Sequence, residues 1–300
     1  MQQPTLRQLH YRRLLAEHGS FSRAALAAHV TQPTLSAGVQ ELERALGAAV
    51  VDRGATRAGV ILTPAGEAAL IGARDVLSRV EDLTQAARVA AQPLVGRFRL
   101  GVIPTIAPFL LPRALPLLRE RFPALRLYLR EDQTPRLIDT LKAGALDAAL
   151  IALPYDTSGL ETASVGADEL FAAAPADHSL ARAETVDAAD LQGDDLILLE
   201  GGHCLRDHAL AACRMDAPGR AAAEANFAAT SLHTLVQMVG SGLGVSLVPA
   251  MAVEAGLARA AGVAVRPLQA YAAREIVVAW RAGSARGAEA AMLAGALREA

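Results

Sequence analysis

The spacing of apolar residues changes at Pro93 and Gly96, and that change constrains the fold more than any single motif. Before it, apolar positions recur at helical intervals; after it, short apolar runs alternate with amphipathic stretches. The chain therefore divides into a helical head and an α/β body. In the head, residues 5–18 predict a helix with Leu6, Leu9, Leu14 and Leu15 turned inward and Gly19 as its stop. Ser20 or Ser22 caps a second helix. Thr31 precedes Gln32-Pro33, and a proline at a helix start lacks only an N–H that the first turn leaves unbonded. A third helix then runs to Gly47. Two short helices joined by a tight turn, the second opening with polar residues, predict a helix-turn-helix. Residues 49–63 alternate and bend like a two-stranded wing.

From Pro64 a long helix runs to about Gln92, with Ala69, Ala73, Val76, Val80, Leu83, Ala87 and Ala90 alternating at spacings of four and three. That is the a/d seam of a coiled coil. It predicts dimerisation, because a symmetric reader of paired half-sites needs a partner. A single amphipathic helix lying on its own domain is the alternative. Charge follows the same division. Residues 1–66 hold seven arginines against four acidic residues, whereas the remainder holds 22 basic and 27 acidic residues. A mildly basic head on an acidic body suits a nucleic-acid-binding module joined to something else.

Beyond Gly96, residues 97–104, 125–131 and 146–154 read as strands, with helices over 107–123 and 134–144 between and after them. A second set follows, with strands at 168–176, 194–200 and 243–250 and helices after Gly201-Gly202 and over 230–242. The final strand and helix, from 274 onward, return to the first set. Strand–helix alternation predicts parallel α/β units, and two such halves leave a cleft for a small ligand.

No apolar run reaches the roughly 20 residues that span a bilayer, and the start has no apolar signal segment. The expectation is a cytoplasmic protein with no membrane association. Neither a Rossmann G-x-G-x-x-G, a Walker A loop nor a G-x-S-x-G elbow is present. No cofactor and no enzymatic activity are expected.

Only two cysteines occur, Cys204 and Cys213, in the stretch GGHCLRDHALAAC. The reactive form of cysteine is the thiolate, favoured by a helix N-terminus and by nearby cations. Gly201-Gly202 turns the chain into a helix opening near Cys204, with His203 adjoining and Arg206 close by, so a depressed thiol pKa is expected. Two buried, inert cysteines are the plainer alternative. A metal reading is weaker still. Cys204 and His208 share one helical face, but nine residues place Cys204 and Cys213 on opposite faces, so one continuous helix cannot chelate with both.

The segments LAEHGSFSRAA, TQPTLSAGVQELE and LTPAG, in this order, resemble the LysR-type regulators. The resemblance spans essentially the whole chain. It implies a winged helix-turn-helix DNA-binding domain at 1–66, a linker and dimerisation helix at 64–92, and a two-lobed periplasmic-binding-protein-like effector domain at 96–300. Lobe I would take 96–165 plus 271–300, and lobe II 166–270. Within the family, VIPTIAPFLLP, YLREDQT and LLEGGHCLRD, with a second cysteine nine residues on, resemble the peroxide-sensing branch. Asn226 stands where that branch often has histidine, and Arg12 and Arg13 stand where the family is usually apolar.

The resemblance implies that the recognition helix meets paired half-sites in duplex DNA through Thr31, Gln32, Pro33, Thr34 and Ser36, with Arg23, Arg53 and Arg57 on phosphates. It implies that hydrogen peroxide oxidises Cys204 and that Cys213 resolves it to a disulfide, controlling oxidative-stress genes. His203, Arg206, Thr105, Thr134 and Arg274 would form the peroxide pocket. A homotetramer, built as a dimer of dimers, and contact with RNA polymerase are further implied. If residues 204–213 are helical, about 13.5 Å separates the two Cα atoms, beyond the roughly 7 Å that a disulfide spans. Oxidation is then expected to unwind that segment. The rival is a LysR-type regulator answering a small metabolite in the interlobe cleft, with incidental cysteines.

Overall fold

The computed structural model describes residues 3–52, 60–89, 94–193, 196–215 and 229–300. Two compact units emerge, one built on residues 1–91 and the other on 92–141 and 146–300.

The first unit opens with α1 (Leu6–His18), α2 (Phe21–Ala27) and α3 (Gln32–Leu46). A reciprocal cap starts α1: Thr5 Oγ1 accepts from Gln8 N at 3.3 Å, and Gln8 Oε1 accepts from Thr5 N at 2.9 Å. Gly19 and Gly47 end α1 and α3 at φ 60° and 68°, the left-handed geometry expected at such stops. Tyr11, Leu14, Leu15, Ala24, Leu35 and Val39 form the core. Leu6 was expected inside but is exposed, and Leu9 is only half-buried. The inward stripe of α1 instead runs through Gln8, Tyr11, Arg12 and Leu15. Its polar members are bonded to the neighbouring elements: Gln8 Nε2 donates to Glu41 Oε2 at 3.1 Å and Arg12 Nη2 to the Gly66 carbonyl at 2.7 Å. Gly38 lies under the Tyr11 ring, where a Cβ would come within 2.6 Å of Cδ2, so α1 and α3 approach only because residue 38 has no side chain.

The short strands β1 (Val51–Asp52) and β2 (Ile61–Leu62) pair antiparallel as the expected wing. Thr63 Oγ1 then accepts from Gly66 N at 2.9 Å, opening α4 (Pro64–Val89). Along α4, Ala73 is buried and Ala69 packs on the core of this unit, while Val76 and Leu83 are 42% and 73% exposed. Ala90 lies outside the described residues.

The second unit contains β3 (Gly96–Val102), α5 (Ala107–Arg121), β4 (Leu125–Glu131), α6 (Thr134–Lys142), β5 (Ala148–Leu153) and β6 (Leu160–Pro175). It continues through α7 (Cys204–Ala212), α8 (Leu232–Gly240), β7 (Ser246–Pro249), α9 (Ala250–Glu254) and α10 (Leu257–Ala260). The chain ends with β8 (Val263–Pro267), β9 (Ala273–Arg281) and α11 (Gly287–Arg298). Among the described residues the strands form one curled sheet in the order β4-β3-β5-β9-β6-β7, with β8 also on β6.

The sheet is mixed, not parallel as alternation suggested. β3 runs parallel to β4 and β5, but β9 enters antiparallel between β5 and β6, and β7 and β8 pair antiparallel with β6. The returning C-terminal strand reverses the sense of pairing, which periodicity cannot reveal. Residues 196–200 make only single bridges, Leu196 with Val245 and Leu199 with Ala229, where a strand was expected.

Two apolar cores flank the crossing strands. Phe98, Leu100, Ile106, Leu137, Leu150 and Val278 mark the first, and Leu170, Leu199, Val236 and Leu247 the second. β6 passes from one to the other between Val165 and Leu170, just after its register shifts between Ser164 and Gly166.

Candidate functional site

α7 begins at Cys204, with His203 as its N-cap residue and Cys213 as its C-cap residue. The helix straddles the two cores. Cys204 packs with the first, whereas Leu205, Ala209, Leu210 and Cys213 pack with the second. Neither cysteine is in a disulfide, and both are buried.

Around Cys204 the fold assembles Thr134 from the start of α6, Ala152 from β5 and Arg274 from β9. The Arg274 guanidinium, the Thr134 hydroxyl and the backbone of Ala152 each favour the thiolate, while Asp207 opposes it. Burial outweighs them and pushes the thiol above its ordinary value. The expected depression is therefore not found: desolvation in an apolar core penalises the charged form more than one cation relieves it. Burial raises the Cys213 thiol to about 11.

Arg274 is fully buried, and the fold dictates its orientation. Nε and Nη2 meet Asp168 Oδ2 at 3.0 and 2.8 Å. Nη1 donates to Thr105 Oγ1 at 2.7 Å and Nη2 to the Thr105 carbonyl at 2.9 Å. A guanidinium carries five N–H donors, so these contacts leave one N–H on Nη1 uncommitted. Because Thr105 Oγ1 accepts from Arg274, its own hydrogen is free to donate elsewhere. Thr134 Oγ1 is buried with no well-formed hydrogen bond inside the fold. Around the sulfur thus stand the Arg274 cation and the Thr134 hydroxyl, and Arg274 in turn holds Thr105.

His203 and Arg206 take other partners. His203 bonds to the backbone of Thr230, and burial lowers its pKa. Arg206 Nη1 donates to the Leu199 carbonyl at 3.1 Å. The cation that acts on the thiol is Arg274, distant in sequence. Sequence reasoning missed Asp168 and Tyr155, and considered His208 only as a metal ligand. Tyr155 is half-buried near the thiol, and burial and neighbouring carboxylates raise its pKa. His208 Nε2 bonds the Leu153 carbonyl at 2.8 Å. An acid heading the apolar run of β6 was the one available signal for Asp168. On the outer face of α7, a cavity of about 370 Å³ is lined by Pro154, Leu170, Asp207, His208, Ala211 and Tyr271, among others. Among the described residues, no group of three or more His, Cys, Asp or Glu is placed to hold a metal ion.

In the first unit, Thr31 caps α3, its Oγ1 accepting from Thr34 N at 3.4 Å. Gln32, Pro33 and Thr34 are exposed on the first turn, and Ser36 is half-buried. Ser22 Oγ donates to Gln32 Oε1 at 3.0 Å, and Arg23 is exposed on α2. Arg53, Arg57 and Asn226 lie outside the described residues.

Residues 6–67 match the bacterial regulatory helix-turn-helix proteins of the lysR family, and residues 91–300 match the LysR substrate binding domain. The chain belongs to the LysR family. Over 299 residues it is 40% identical to a probable hydrogen peroxide-inducible genes activator of Streptomyces viridosporus, covering 99% of this chain and 95% of that protein. Over 252 residues it is 42% identical to the HTH-type transcriptional regulator EstR of Acinetobacter baylyi, covering 84% of this chain and 81% of that one. A hydrogen peroxide-bound Corynebacterium glutamicum OxyR, with one cysteine replaced by serine, superposes with a TM-score of 0.68 at 34% identity, covering 99% and 92% of the two chains. The LysR fold is thus the scaffold that brings strand ends β5 and β9 and helix starts α6 and α7 to one sulfur.

Proposed function

We propose that this LysR-family protein is a cytoplasmic, DNA-binding transcription regulator that senses hydrogen peroxide through Cys204 and Cys213 and controls oxidative-stress genes. The observation that carries the reading is the pocket at Cys204. A buried sulfur faces a fixed cation and the Thr134 hydroxyl, that cation holds Thr105, and a second thiol waits at the other end of the same helix. Residues 1–66 would read paired half-sites in duplex DNA, residues 64–92 would dimerise, and residues 96–300 would sense, with lobe I at 96–165 plus 271–300 and lobe II at 166–270. A dimer of dimers would then present the activated surface to RNA polymerase. Thr31, Gln32, Pro33, Thr34 and Ser36 would face the major groove, and Arg23, Arg53 and Arg57 the phosphates.

The chemistry balances within the pocket. The Cys204 sulfur attacks one peroxide oxygen, the S–O bond forms and the O–O bond breaks. The departing hydroxide takes up the thiol's proton and leaves as water, and the sulfur becomes a sulfenic acid. The free Arg274 N–H and the Thr105 hydroxyl stabilise charge on the leaving oxygen, the role of preorganised donors at a developing anion. The Cys213 thiolate then attacks the sulfenic sulfur, the S–S bond forms, and the second hydroxide leaves as water. Because the pocket is built from protein donors, the reaction needs no cofactor.

Thiol trapping before and after micromolar peroxide tests the reading. A Cys204–Cys213 disulfide and an altered operator footprint are expected together, and a footprint indifferent to peroxide would defeat it. The cavity on the outer face of α7 favours a second reading, a small metabolite as effector. On that reading, Cys204→Ser and Cys213→Ser would leave the DNA response intact.

A further inference from the structure

We propose that Asp168 is a positioning residue, which holds the Arg274 guanidinium over the Cys204 pocket and ties it to both cores. The proposal rests on the peroxide reading above. Asp168 and Arg274 are direct cross-strand partners in the β6–β9 register. Their side chains are 3% and 0% exposed. Asp168 Oδ2 takes both Nε and Nη2 of the guanidinium, and such a two-point grip fixes the plane of the cation as well as its place. Oδ1 meanwhile accepts from Met251 N at 3.0 Å. Met251 opens α9 beside β7 and packs against both cores. Asp168 thus stands on β6 where that strand leaves one core for the other, gripping the cation with one oxygen and the second half of the unit with the other.

The consequence is directional. With the plane fixed, the last Nη1 N–H points where the plane dictates, and a misplacement of about 1 Å costs a reaction on the order of 100-fold. A mere counter-charge predicts the opposite effect. Deleting it would strengthen the pull of Arg274 on the thiol, so oxidation would speed up. Deleting a positioning residue lets the guanidinium drift, so oxidation slows. The two roles differ in sign.

The test uses full-length protein carrying Cys213→Ser, so that Cys204 is the sole thiol. Two quantities are followed: the rate of sulfenic acid formation with peroxide, and the pH profile of Cys204 alkylation by iodoacetamide. Asp168→Asn is expected to slow oxidation by about tenfold or more and to raise the alkylation midpoint by about one pH unit. In an Arg274→Gln background, where Asp168 is left as the unpaired buried charge, adding Asp168→Asn should not slow oxidation further, since a residue acting only through Arg274 has no grip left to lose. Faster oxidation, an unmoved midpoint, or an equal loss in both backgrounds would overturn the proposal. Should Asp168→Asn not fold, Asp168→Glu, which keeps the charge but shifts the grip, carries the test; slowed oxidation supports it and a wild-type rate overturns it. If Cys204 ignores peroxide while the alkylation profile still moves as stated, the peroxide reading fails and the positioning role stands.

Discussion

Cys204 and Cys213 stand at opposite ends of one helix and in two different hydrophobic cores. No small adjustment joins them. Nine residues of helix hold their Cα atoms about 13.5 Å apart, and Leu205, Ala209 and Leu210 between them are seated in the second core. A disulfide would therefore replace one packed arrangement with another rather than bend the first, which is the requirement for a two-state switch.

Thr134 carries a cost in stability that its place in the pocket explains. Its hydroxyl is 1% exposed as a residue and has no well-formed partner, and leaving a buried hydroxyl unsatisfied costs about 1–3 kcal/mol. Thr134→Val keeps the shape and removes the orphan. Urea denaturation is expected to show an unchanged or slightly more stable protein, while stopped-flow peroxide oxidation of Cys204 slows. A variant both less stable and equally fast would remove Thr134 from the pocket chemistry.

His208 makes the reduced helix sensitive to acid. Its pKa is lowered, first by burial and then by Arg274, while the Leu153 carbonyl and Asp207 pull the other way. Once released from the fold it would titrate near its ordinary value of about 6.5. Below that value the released form binds a proton that the folded form refuses, so stability present at neutral pH is lost as pH falls. The stability difference between wild type and His208→Gln in urea should therefore shift against the wild type between about pH 7 and 5. The slope is limited to about 1.4 kcal/mol per pH unit for one proton. A pH-independent difference would show that His208 stays bonded to Leu153 in both states.

Leu83 is 73% exposed on α4, one heptad of the seam beyond Val76. Leu83→Glu should leave the protomer folded, because nothing within it is displaced. It would place like charges across a symmetric interface, where burying an unpaired charge is strongly unfavourable. Analytical ultracentrifugation should show loss of the dimer, and cooperative binding to paired half-sites should go with it. Wild-type sedimentation would mean that the seam packs elsewhere.

Gln32 offers its amide at the exposed start of α3. Gln32→Ala should weaken specific operator binding by roughly 1–3 kcal/mol, the contribution of one bidentate base contact, without altering fold or assembly. Footprinting on its own promoter is the check, and an unchanged sequence preference would leave Gln32 only its bond to Ser22.

Local signals in the sequence carried much of the fold. Gly19 and Gly47 stop their helices where turn chemistry demands, and β3, β4, β5 and α6 follow their apolar periods closely. The cysteines and the threonines of the pocket were reachable through family resemblance. What stayed hidden was tertiary. Arg12 reads as a surface residue until Gly66 supplies its acceptor. The antiparallel entry of β9 depends on a partner far away in sequence, and so does the Asp168–Arg274 pair it creates. The thiol pKa went the opposite way from expectation because neighbours in sequence announce cations, whereas only packing announces desolvation.

Hydrogen exchange across residues 205–212, measured on the reduced protein and again after peroxide, tests the central claim most directly. The account predicts protected amides in the reduced helix and rapid exchange once a Cys204–Cys213 disulfide-linked peptide appears, with the Cys213→Ser variant remaining protected while its Cys204 is a sulfenic acid. A disulfide formed with protection of α7 unchanged would contradict it, and so would full exchange of the helix before any peroxide is added.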